Sequence, residues 1–166
     1  DRVNAQNNLG DCETILASNP CGEQMLPPYG ACLLGSINLA RLVDRPFEGE
    51  AGIDETVLAD LTRVAVRMLD DVIDISRFPL PEQEAEAKAK RRIGLGITGL
   101  ADALLFCGAR YGSAEAVALT RRWLEITKRA AYRASALLAA EKGPFPLYDP
   151  VMLERPNLAG LDEETR

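Results

Sequence analysis

The sequence predicts an α/β chain rich in helix. Three observations carry this: short extended stretches near residues 13–18, 33–43 and 93–98, amphipathic periodicity between them and after them, and a dense Pro/Gly segment over 19–30. Residues 13–18, Glu-Thr-Ile-Leu-Ala-Ser, have moderate β-propensity and are expected to form a short strand. Pro20, Gly22, Pro27, Pro28 and Gly30 then mark a loop that doubles back. Residues 33–43 alternate well enough for a second strand, most clearly from Ser36 onward.

From Asp54 the period changes. Val57, Leu61, Val64, Met68, Val72 and Ile75 recur at three and four, which predicts an amphipathic helix with this row facing inward. Asp54 is its expected N-cap, and Pro79 its stop. A shorter helix is expected from Pro81 to about Arg91. Ile93-Gly-Leu-Gly-Ile-Thr98 reads as a glycine-rich extended stretch, its glycines allowing close backbone packing, before a helix over Leu100–Phe106. The longest helix runs from the Ser113 cap to Lys142, with Gly143-Pro144 closing it. Its expected inner row is Ala116, Leu119, Trp123, Ile126, Ala130, Ala134 and Leu137. Such a rod is roughly 45 Å long, more than a domain of this size covers by itself.

Composition removes several function classes. With 166 residues, 47% hydrophobic and 27% charged, the chain can bury one ordinary core. A net charge of −6 argues against nucleic acid as a partner. The one basic run, Lys88 to Arg92, follows Glu82, Glu84 and Glu86, and reads as a solvated helix face of opposite pairs. No apolar stretch reaches the roughly 20 residues that span a bilayer, and no signal pattern opens the chain, so no membrane partner is expected and the location is read as cytoplasmic. There is no histidine, which excludes Ser-His-Asp, Cys-His and HExxH chemistry from these residues. Gly94, Gly96 and Gly99 have the wrong spacing for a dinucleotide fingerprint, and no phosphate-binding GxxxxGK[ST] loop occurs. What remains is thiol and carboxylate chemistry, and no metal site is expected. The opening at Asp1 without methionine and the charged end Asp-Glu-Glu-Thr-Arg suggest a piece of something larger.

The four cysteines, at 12, 21, 32 and 107, match no zinc or CxxC spacing. Cys21 stands out. Pro20 disfavours helix at Asn19 and fixes its own φ, so the stretch should be locally extended. In an extended chain Asn19, Cys21 and Glu23 share one side, an amide, a thiol and a carboxylate facing one ligand, with neighbours roughly 7 Å apart. A buried thiol in a turn, with Asn19 and Glu23 capping local backbone, fits the same spacing.

The run Ser18-Asn-Pro-Cys-Gly-Glu-Gln-Met-Leu-Pro-Pro-Tyr-Gly-Ala-Cys-Leu-Leu-Gly-Ser-Ile-Asn-Leu39 resembles the finger loop of ribonucleotide reductases, specifically the adenosylcobalamin-dependent class II form. Arg92-Ile-Gly-Leu-Gly-Ile-Thr-Gly-Leu-Ala-Asp-Ala-Leu104 is similar to the same family, and the likeness extends from about residue 7 to about 150. The resemblance implies that residues 1–166 are part of a ten-stranded catalytic α/β barrel, with the finger loop at 19–31 and a helical region at 54–142. It implies a thiyl radical at Cys21, made when a 5′-deoxyadenosyl radical from adenosylcobalamin takes the thiol hydrogen, and a Glu23 carboxylate that accepts the substrate 3′-hydroxyl proton. Asn19 matches the amide that holds the substrate hydroxyl, and Ser18 joins the substrate-binding set. Cys32 matches one thiol of the reducing pair, whose partner lies upstream of Asp1. Cys12 and Cys107 match no role, and inert burial is expected for both. The implied partners are a ribonucleoside di- or triphosphate, a dithiol reductant such as thioredoxin, deoxynucleotide effectors bound outside this segment, and a second copy if the assembly is a homodimer. Cobalamin-binding residues are not recognisable. Two rivals remain: a class I large subunit fed its radical by a partner chain, and a helical interaction module whose cysteines are incidental.

Overall fold

A computed structural model describes residues 2–19, 24–154, 158, 160 and 161. Its strands are β1 (Ala17–Ser18), β2 (Met25–Leu26), β3 (Leu33–Asn38), β4 (Val43–Asp44), β5 (Gly52–Ile53) and β6 (Ile93–Thr98); its helices are α1 (Glu55–Ile75), α2 (Pro81–Lys90), α3 (Leu100–Phe106) and α4 (Ala114–Lys142). Among the described residues, the strands form three two-stranded sheets, β1–β2, β3–β6 and β4–β5. Turns of 3-10 helix cover Asn4–Gln6, Leu39–Leu42 and Pro150–Glu154.

The caps follow the expected chemistry. Asp54 Oδ1 accepts the Thr56 N–H at 2.8 Å, Ser113 Oγ accepts the Ala116 N–H at 3.1 Å, and Gly143, at φ +88°, ends α4. Two extended segments are shorter than expected. The first strand occupies only 17–18, and before it the Ile15 backbone is held by the Asn4 side chain instead of a neighbouring strand. The second covers 33–38, and Asn38 then starts a 3-10 turn by accepting the Ala40 N–H on Oδ1 at 3.1 Å.

The chain divides into two compact units, one of Leu34–Met68 with Leu95–Ser135, the other of Asp1–Leu33, Leu69–Gly94 and Ala136–Arg166. In the first, Ile37, Leu39, Leu58, Ala103, Leu104, Ala109, Ala116 and Trp123 form the buried core. Two buried threonines, Thr62 and Thr127, satisfy their hydroxyls on the carbonyls of Leu58 and Trp123, four residues back. Gly99 lies at φ +65°, where a Cβ would stand 2.4 Å from Asn38 Oδ1, so close approach is required there. At Gly96 a Cβ would meet only ordinary contacts, the nearest at 3.7 Å, so within the extended stretch that glycine is not demanded by packing.

Helix α1 corrects one expectation. The row predicted to face inward is the outer one: Val57, Leu61, Val64, Met68 and Ile75 are exposed, while Leu58, Thr62, Val66, Leu69 and Ile73 are buried. The two rows differ by one residue, about 100° of helical rotation, so α1 is apolar over two adjoining faces. In α4 the predicted row holds through Ala116, Trp123 and Ala134, but at its end Leu138 is buried and Leu137 exposed.

In the second unit Leu9, Leu69, Ile73, Ala87, Leu138, Met152, Leu158 and Leu161 are buried. The same unit carries a network of ion pairs. Arg91, at the left-handed C-cap of α2, donates to Asp70 at 2.9 Å and Asp74 at 2.6 Å; Lys142 Nζ reaches Asp70 at 2.8 Å and Asp71 at 2.6 Å. The oxygens of Asp70, Asp71 and Asp74 lie within 4.8 Å of one another, a spacing that suits a cation, and the Lys142 ammonium is among them. No helix among the described residues is long and apolar enough to cross a membrane.

Candidate active-site hairpin

The candidate site is built on the β1–β2 ribbon. Ala17 pairs with Leu26 and Ser18 with Met25, antiparallel, and the Leu16 N–H donates to the Leu26 carbonyl at 3.2 Å. One step further on, the Asn19 N–H donates to the Gln24 carbonyl at 3.0 Å, and Asn19 Oδ1 accepts the Gln24 N–H at 3.1 Å. Asn19 therefore closes the neck of a hairpin loop with both its backbone and its side chain.

Cys21 and Glu23 lie outside the described residues. Of the expected row Asn19, Cys21 and Glu23, Asn19 is the member among the described residues. Ser18 is exposed on β1. Behind the loop, the Gly30 N–H closes a turn on the Pro27 carbonyl at 3.0 Å, with Tyr29 at φ +59°, and the chain doubles back as its proline and glycine content predicts. Cys32 is half-buried just before β3, its Sγ 3.6 Å from the Leu33 carbonyl.

The other two cysteines divide. Cys107 is half-buried against the core of its unit, and burial pushes its thiol pKa up, as an inert thiol requires. Cys12 is exposed, with its Sγ 3.4 Å from the Leu9 carbonyl, which corrects the expectation that it is buried.

The basic run also departs from a solvated face. Lys88 pairs with Glu84 and Lys90 with Glu86, as helical spacing predicts. Lys90 and Arg92 nevertheless turn inward onto Glu13, at 2.6 and 2.7 Å. The signal for this in the sequence is thin: one acidic residue 77 positions away has no local periodicity to betray it.

The family model for the ribonucleotide reductase barrel domain matches residues 1–159, and the chain belongs to that family. The chain is 46% identical over 148 residues to the vitamin B12-dependent ribonucleoside-diphosphate reductase of Mycobacterium tuberculosis (strain CDC 1551 / Oshkosh), covering 89% of this chain and 21% of the relative. It is 39% identical over 148 residues to the protein of the same name in Thermoplasma acidophilum, covering 89% and 19%. It is 37% identical over 148 residues to the ribonucleoside-diphosphate reductase subunit alpha of Chlamydia muridarum, covering 87% and 13%. The chain thus spans about a fifth of the length of the B12-dependent relatives.

Proposed function

We propose that this chain supplies the radical-bearing hairpin and one reducing thiol to an enzyme that converts ribonucleotides to 2′-deoxyribonucleotides. The observation that carries this reading is the family match over residues 1–159, which takes in the motif Asn19-Pro-Cys-Gly-Glu23. In the whole protein these residues would belong to a ten-stranded α/β barrel, with the hairpin raised into its interior.

Adenosylcobalamin is the cofactor inferred, from the vitamin B12 dependence in the names of two relatives. When bound it supplies a carbon-centred radical able to take the thiol hydrogen of Cys21. The described residues show no set recognisable as a corrin site: one open groove of about 660 Å³ is lined by Leu104, Val117 and Leu124 together with Arg121, Glu125 and Lys128. Groups holding the cofactor are therefore assigned to the rest of the protein.

This chain's own residues carry the remaining chemistry. The Cys21 thiyl takes the ribose 3′ hydrogen atom and becomes a thiol. Glu23 accepts the 3′-hydroxyl proton while the protonated 2′-hydroxyl leaves as water; burial beside substrate favours such a carboxylate by raising its pKa toward neutrality. Asn19 and Ser18 orient the sugar hydroxyls. Cys32 and a second thiol supply two electrons and two protons and end as a disulfide, and Cys21 returns the 3′ hydrogen. A dithiol protein such as thioredoxin then reduces the disulfide, and deoxynucleotide effectors act at a site beyond these residues.

In the full-length enzyme, Cys21→Ser is expected to abolish deoxyribonucleotide formation, by at least about 10³-fold on the scale of losing an essential reacting group, while equilibrium binding of nucleotide persists. Turnover at a normal rate in that variant would overturn the reading. The match to the Chlamydia alpha subunit favours one rival, radical supply by a partner chain. Turnover of the purified protein that depends on added adenosylcobalamin decides against it.

A further inference from the structure

Glu13 lies six positions before Asn19, and its side chain is only 3% exposed. Its Oε2 meets Lys90 Nζ at 2.6 Å; its Oε1 accepts from Arg92 Nη2 at 2.7 Å and from Asn7 Nδ2 at 2.9 Å. Lys90, 7% exposed, also pairs with Glu86. Two carboxylates and two cations thus form a balanced cluster. Asn7 is itself fixed, its Oδ1 accepting the Leu9 N–H at 3.1 Å. Two residues beyond Glu13, Asn4 clamps Ile15 from both sides, accepting its N–H at 2.8 Å and donating to its carbonyl at 3.0 Å.

These contacts fall where the sheet gives least support. The β1–β2 ribbon has two residue pairs, flanked by the Leu16–Leu26 and Asn19–Gln24 hydrogen bonds, and a two-stranded ribbon of this size is marginal by itself. Buried ion pairs add little stability over apolar packing of the same volume, but they hold one geometry, since every alternative leaves a charge unpaired. Burial alone would raise the Glu13 pKa; the hydrogen bonds from Lys90 and Asn7 and the charge of Arg92 outweigh it and hold the carboxyl below its usual range.

We propose that Glu13, with Lys90 and Arg92, is a positioning residue that fixes the base of hairpin 16–26 and thereby the placement of the Cys21 thiol for hydrogen-atom transfer. This rests on the reading of Cys21 as the reacting thiol. Hydrogen-atom transfer needs near-contact geometry, and a displacement of about 1 Å costs on the order of 100-fold in rate.

The test uses the full-length enzyme and four variants: Glu13→Gln, Lys90→Met, the charge-keeping Lys90→Arg, and Cys21→Ser. Glu13→Gln and Lys90→Met should lower kcat by about 10- to 100-fold with a smaller rise in KM, because Ser18 and Asn19, which orient the sugar hydroxyls, share the hairpin with the thiol. Lys90→Arg should restore most of kcat. Hydrogen exchange over residues 14–26 should speed up about tenfold or more in the two disrupting variants, with peptides of α4 unchanged. Equal loss of kcat in Lys90→Met and Lys90→Arg, or a lower melting temperature with unchanged exchange over 14–26, would overturn the proposal. Should Glu13→Gln fail to fold, the Lys90 pair decides alone. Undiminished turnover in Cys21→Ser would defeat the reading of Cys21 and with it the proposed effect on transfer; exchange over 14–26 would then show whether the cluster still anchors the hairpin.

Discussion

Replacing Gly99 and Gly108 separately by alanine divides a conformational cost from a steric one. Both sit in left-handed backbone, at φ +65° and +72°, and both flank α3. A Cβ at Gly108 meets nothing within 4 Å, so Gly108→Ala should cost only the left-handed penalty, about 1–2 kcal/mol. At Gly99 the same Cβ would stand 2.4 Å from Asn38 Oδ1 and 3.1 Å from Ala40 Cβ. Asn38 must move, and its 3.1 Å hydrogen bond from the Ala40 N–H goes with it. Losing that cap adds about 0.5–2 kcal/mol, for a total of about 1.5–4 kcal/mol. The gain from restricting the unfolded chain, about 0.4–1 kcal/mol, applies to both and cancels. At about 1.4 kcal/mol per factor of ten, the α3 amides should open roughly 2- to 30-fold more often in Gly99→Ala than in Gly108→Ala. Hydrogen exchange in the full-length protein reads this, using amides such as that of Ala103, bonded to the Gly99 carbonyl at 2.9 Å. Equal protection in the two variants would refute the steric part of the reasoning.

At the hairpin neck, Asn19→Ala removes the acceptor for the Gln24 N–H, a loss of about 0.5–1.5 kcal/mol, whereas Asn19→Asp keeps an acceptor; comparing kcat separates closure of the neck from donation by the carboxamide. If both variants lose rate alike, donation to substrate is the role that matters. The acidic limb of stability should report Asp70 and Asp74. For Asp70, burial raises the pKa but hydrogen bonds from Arg91 and Lys142 outweigh it; for Asp74 the Arg91 hydrogen bond leads, and both are held below the usual range. A depressed folded pKa gives stability present above the unfolded value, about 3.9, and lost as pH falls through the folded one. Lys142→Met should therefore move the acid loss of melting temperature to higher pH, and an unchanged profile between about pH 2 and 5 would count against the network.

Most of the helical architecture is legible in the sequence, because caps and breakers act locally. Asp54, Ser113, Pro81 and Gly143 each mark a helix end through chemistry within a few residues. What periodicity does not supply is choice between two apolar rows. In α1 Val57 to Ile75 and Leu58 to Ile73 both recur at three and four, and only packing selects which is buried. Lys90 and Arg92 escape the pattern for a related reason: the i, i+4 pairing of Lys90 is real, but a carboxylate distant in sequence takes both cations. Cys12, expected to be buried, sits in an exposed turn that its own residue type does not announce.

Same-side spacing of 19, 21 and 23 assumes an extended chain, and positions 21 and 23 lie outside the described residues. What is described is the neck, where the Asn19 N–H donates to the Gln24 carbonyl and Asn19 Oδ1 accepts the Gln24 N–H. The two accounts differ in what they ask of Asn19. In the row it is one of three side chains turned toward a ligand; in the hairpin its carboxamide oxygen is already engaged by Gln24. Any part Asn19 plays toward a sugar hydroxyl must therefore operate alongside closure of the loop. Binding of substrate and placement of the thiol would then be coupled through one residue, and the contrast between alanine and aspartate at position 19 is a direct measure of that coupling.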